Sequence, residues 1–116
     1  MRKTTAAMQA AVVTMLVAKR PALDKLPIRW QLRETGEVSV EPSFRASHAE
    51  VDQMACEIAR AMRGAQQRTY ETQLSDGRPF RVYEVSAQPS GVRVTFYGQA
   101  ALDGDLTESS PGGETA

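Results

Sequence analysis

The chain has 116 residues, enough for one domain with its own core and few for two. Fourteen Lys/Arg stand against fourteen Asp/Glu, which excludes the strongly basic composition of a dedicated nucleic-acid binder. The lone Cys56 excludes an internal disulfide and a cysteine zinc cage, and points to a reducing compartment and so to the cytoplasm.

The charge is uneven along the chain. Residues 1–100 carry all fourteen bases and ten acids, a bias of +4, while residues 101–116 hold four acids and no base. That last stretch, with Asp103-Gly104-Asp105 and Ser109-Ser110-Pro111-Gly112-Gly113, has almost no apolar content. It reads as a disordered acidic tail behind a single domain over residues 1–100.

From Thr4 to Lys19 the chain is apolar nearly all round, interrupted only by Gln9 and Thr14. Arg2-Lys3 would suit the start of a signal peptide, but Lys19-Arg20-Pro21 stands where small cleavage-site residues belong. The run falls short of the roughly 20 apolar residues that a membrane span needs. An ordinary helix buried on more than one side, ended by Pro21, fits better. Met8, Val12, Met15, Leu16 and Lys19 form one stripe; Ala10, Val13 and Val17 form another, which predicts a homodimer through this helix. The plainer alternative is that alanines tolerate water and only Val13 and Val17 protrude.

After a short linker over residues 21–27, Ile28-Arg29-Trp30-Gln31-Leu32-Arg33 alternates as a half-buried strand does. Gly36 sits in the turn, and Val38-Ser39-Val40-Glu41 returns as the second arm of a hairpin closed by Pro42. Ser47-His48-Ala49-Glu50 matches a capping box. The helix behind it places Val51, Met54, Ala55, Ile58, Ala59 and Met62 on one face, with Gly64 as its stop. Then come Tyr70 to Leu74, Asp76-Gly77 as a tight turn, Arg78 to Val85, the Pro89-Ser90-Gly91 cluster, and Val92 to Tyr97. These read as a three-strand meander.

The order α-β-β-α-β-β-β predicts an α+β fold, a five-stranded antiparallel sheet with two helices packed on one face. Inward positions are Ile28, Trp30, Leu32, Val38, Val40, Tyr70, Leu74, Phe80, Val82, Val94 and Phe96. The bare face then carries Arg29, Arg33, Arg81, Tyr83, Val85, Arg93, Thr95 and Tyr97. Arg29, Arg33, Arg81, Tyr83, Arg93 and Tyr97 are the candidate binding residues. Arginine and tyrosine anchor protein contacts, and on an open sheet they also stack on bases and meet phosphates. Outward strand positions take these residues routinely as well, with Glu37, Glu41 and Glu71 available as cross-strand partners. A far-face geometry for the first helix, burying Tyr83, Val85 and Tyr97, is the competing arrangement.

Catalysis finds little support. His48 is the lone histidine, Cys56 lies two helical turns further on, and the glycines are isolated turn residues. Asp103-Gly104-Asp105 lacks the spaced acids and closing Glu of a calcium loop. No enzyme, cofactor or metal is expected. The expected activity is binding or assembly through protein contacts, with the protein itself and a second protein as partners; nucleic acid ranks behind, and no membrane is involved.

Leu26-Pro27-Ile28-Arg29-Trp30-Gln31-Leu32, the turn at Gly36, an Ala-rich helix and the closing Arg81-Val82-Tyr83 and Val92-Arg93-Val94-Thr95-Phe96 hairpin resemble a type of small α+β protein. Such proteins are scattered through actinobacteria, their plasmids and their phages, mostly without assigned function. The resemblance spans about residues 22–98 and departs at the first helix, which is more apolar. It implies an accessory or mobile-element protein and brings no active site with it.

Overall fold

The computed structural model describes residues 4–73 and 75–102. Arg2-Lys3, the inward position expected for Leu74 and the tail from Asp103 onward lie outside the described residues.

Helix α1 runs Ala6–Lys19, with the Thr5 hydroxyl accepting the Met8 N–H. No helix among the described residues is long and apolar enough to cross a membrane. Pro21–Lys25 forms a 3-10 turn that buries Leu23, so the expected linker supplies a core residue. Strands β1 (Ile28–Leu32) and β2 (Val38–Pro42) form the expected hairpin, with Gly36 at φ 101° in its turn. Helix α2 (His48–Ala61) starts on the capping box, Ser47 Oγ accepting from Glu50 N–H and Glu50 Oε1 accepting from Ser47 N–H. Strands β3 (Gln66–Gln73), β4 (Pro79–Ala87) and β5 (Val94–Ala101) complete the meander. β5 reaches Ala101, one residue past the boundary expected at residue 100.

The sheet order is β1-β2-β5-β4-β3, and the sheet is mixed rather than purely antiparallel: β2 and β5 run parallel, Val38 opposite Val94 and Val40 opposite Phe96. The cause lies in which strands are apolar enough for the centre. β3 reads Gln-Gln-Arg-Thr-Tyr-Glu-Thr-Gln and suits only an edge. Joining through β5 puts Val38, Val40, Val94 and Phe96 side by side, all within 1% of full burial. Val12 and Leu16 of α1 and Val51, Met54 and Ile58 of α2 enter the same core cluster as these four. Both helices therefore cover one face.

The meander corrects the expected phase of β4. Tyr83, Val85 and Ala87 pair with Gly98, Phe96 and Val94, on the covered side. Phe80 and Val82 pair with Ala101 and Gln99, and Tyr70 with Val82, on the other. Phe80, Val82 and Tyr70 are thus not in the helix-covered core. The reason is that β4 is apolar at both parities, so alternation gives no phase. Val82 is fully buried on the side without a helix, between Tyr70 and Gln99.

Candidate interaction face

Four of the six candidate arginines and tyrosines share the uncovered face. Arg29 lies there by strand parity, paired to Glu41 opposite it. Arg33, just past β1, donates from Nε to Ser39 Oγ at 2.9 Å. Arg93 precedes β5 and is exposed, in a hollow with Arg68, Glu84 and Ser86. Tyr97 stands out from β5 at 44% exposure. Arg81 and Tyr83 belong to the other side. Tyr83 is 7% exposed in the core, and Arg81 donates to Glu71, its neighbour across β3 and β4, at 2.9 Å. That bond holds the Arg81 guanidinium above its usual pKa.

The face includes residues that alternation assigned elsewhere. Tyr70 donates its hydroxyl to Glu84 Oε2 at 2.9 Å, which raises the phenol pKa. The Arg68 guanidinium lies 4.6 Å from the Tyr70 ring centroid, in cation–π geometry, and 3.9 Å from Glu84 Oε1. Two of the face's arginines, Arg29 and Arg68, are therefore answered by the chain's own acids. Towards the end of β2 the face turns aromatic. Phe44 (51% exposed), Phe80 and Tyr97 line a cleft of about 380 Å³ together with Glu41, Pro42 and Arg45. Phe44 follows Pro42 in a loop with no periodicity, so only its size and polarity-breaking position hinted at a role.

The candidate dimer stripe is mostly spent inward. Val13 and Val17 are half-buried against the core and Ala10 is exposed. What α1 shows to water is chiefly alanine, beside an apolar groove of about 290 Å³ lined by Met8, Ala11, Val12 and Met15 with Ser90 and Val92. Gln9, read from sequence as an interruption, is 3% exposed. Its Nε2 donates to the carbonyls of Arg33 (3.0 Å) and Glu37 (2.7 Å), fastening α1 to the β1–β2 turn. Its buried amide serves that turn and belongs to no site.

His48 is half-buried, its Nδ1 3.2 Å from the Tyr83 hydroxyl and its ring edge-on to the tyrosine. Cys56 is half-buried on α2. No cluster of three or more potential metal ligands occurs among the described residues. No family model, no curated protein and no solved structure matches the chain.

Proposed function

We propose that the chain is a small non-catalytic binding protein that meets a protein partner through the uncovered face of its sheet. One observation carries this reading: Phe44 and Tyr97, two of the three large exposed apolar side chains among the described residues, flank the same cleft with Phe80. Aromatic side chains around a recess, with Arg45 at its rim, are the usual anchors of protein contacts. Nucleic acid ranks behind, because Arg81 and Tyr83 leave the face and Arg29 and Arg68 already meet Glu41 and Glu84. A photo-crosslinking residue at position 97, compared with one at the exposed position 63 on the far side, tests the reading in cells that express the protein. Adducts to a defined protein from 97 alone support it. Equal labelling from both positions, or low-salt binding to single-stranded oligonucleotides that falls steeply with added salt, would sink it.

Self-association through α1 is the second reading, favoured by the apolar groove along Met8, Ala11 and Met15. Ala11→Arg, at an exposed position, should then convert a dimer into a folded monomer by light scattering. A monomeric wild type ends that reading.

A further inference from the structure

Between the end of β2 and the later half of β5 the sheet has a gap, and its cause is one residue. Val38 N–H donates to Arg93 C=O at 2.8 Å, and the pairing stops at Val40–Phe96. Alternate residues of a strand face the same neighbour, so after Val38 and Val40 the next donor of β2 falls at position 42. That position is proline, which has no N–H. The Tyr97 carbonyl is therefore offered no donor by β2, and Gln99, next along the same edge, lies beyond the ladder. Among the described residues no turn or loop backbone hydrogen bond from residues 43–46 reaches either residue. On its other edge β5 stays paired with β4 as far as Ala101. The edge is thus held straight on one side and open on the other, where it borders the cleft of about 380 Å³.

We infer that this gap receives an extended peptide of a partner protein, which adds as a short strand to the free edge of β5 and carries an aromatic or aliphatic side chain close to an acid. The inference rests on the protein-binding reading and names the kind of segment recognised. Free backbone groups recurring every second residue are what an added strand satisfies, and the pockets beside them read its side chains. Phe44, Phe80 and Tyr97 form the apolar wall. Glu41 is occupied by Arg29, whereas Arg45 at the rim is exposed and has no acid partner among the described residues. The free charge of the cleft is therefore positive, and its complement is a carboxylate. A space of this size takes a few side chains, not a folded element.

The test uses the full chain and dye-labelled, capped hexapeptides Thr-Val-X-Thr-Asp-Thr, with X as Phe, Tyr, Leu or Ile, followed by fluorescence anisotropy and amide hydrogen exchange. At least one should bind saturably and slow exchange at the Gln99 amide. N-methylating the amide of X, exchanging the peptide Asp for Lys, and Arg45→Ala in the exposed loop should each weaken binding about tenfold or more, the scale of one charge-assisted or buried backbone hydrogen bond. The peptide variants need no change in the protein, so a misfolded mutant cannot obscure the result. No binding across the panel overturns the inference, as does binding indifferent to N-methylation and to charge. Binding seen only after deleting residues 103–116 overturns it too, since the gap would then hold the chain's own end. Crosslinks from position 97 that persist without peptide binding would remove the slot and leave the broader reading standing.

Discussion

A β-carbon at Gly98 would lie 2.8 Å from Val51 Cγ1 and 2.9 Å from Phe96 Cζ, both of them fully buried side chains. Gly98→Ala should therefore cost about 1–3 kcal/mol through overpacking, read as a lower urea midpoint at unchanged m-value. Tyr83 and His48 meet at 3.2 Å, while His48 Nε2 is buried with no partner among the described residues. Tyr83→Phe should cost about 0.5–1.5 kcal/mol in the wild type, and close to nothing once His48 is also Phe. Fully additive costs would show that the hydroxyl and the imidazole are not coupled. What could be read from sequence at this scale depended on separation. The capping box joins Ser47 to Glu50, and a three-residue spacing declares itself. Gln9 and Arg33 are 24 residues apart, and His48 and Tyr83 are 35 apart. Nothing local in either pair announces its partner.

Among the elements, strands with polar–apolar contrast were legible and those without it were not. Ile28, Trp30, Val38 and Val40 take their expected side because a polar residue separates each pair. β4 carries apolar residues at both parities, and its true phase comes from Phe96 and Gly98 on β5, not from itself. β3 is almost wholly polar, so only Tyr70 to Leu74 was expected, although it runs Gln66–Gln73. In α1, Val13 and Val17 of the second stripe pack partly against the core while Ala10 faces water. Val13→Glu with Val17→Glu should consequently lower stability by about 2–3 kcal/mol, since each valine is half-buried against the core, and not yield a well-folded monomer. Circular dichroism melts decide this; an unchanged melting temperature would place both valines in water. Arg20, the C-cap of α1, ties that helix to α2 through Nε to Glu57 Oε1 at 2.5 Å. The guanidinium bond holds the Glu57 carboxyl below its ordinary pKa. A depressed carboxylate pKa stabilises the fold above the usual glutamate range of about 4.3, and the benefit vanishes as pH falls through the lowered value. Glu57→Gln should be less stable than wild type at pH 7, and the deficit should close as pH falls through the lowered carboxyl value. A deficit that persists unchanged in acid would assign the effect to packing.

On the scale of the molecule, composition and element order gave the α+β class, two helices and five strands, because these follow from local periodicity. The mixed sheet did not follow, since adjacency of β2 and β5 depends on comparing all five strands for the two apolar enough to sit at the centre. The same comparison fixes which residues share the bare face, and it removed Arg81 and Tyr83 while bringing in Tyr70, Arg68 and Phe80. The join itself is narrow: three residue pairs, Val38–Val94 to Val40–Phe96, connect the β1–β2 hairpin to the meander. Each half is contiguous in sequence and closes its own contacts cheaply, whereas the seam unites positions more than fifty residues apart. Refolding should thus proceed by early formation of two independent pieces, with their union as the slow step. In quenched-flow labelling, the Val38 and Val40 amides should become shielded last, after those of β4.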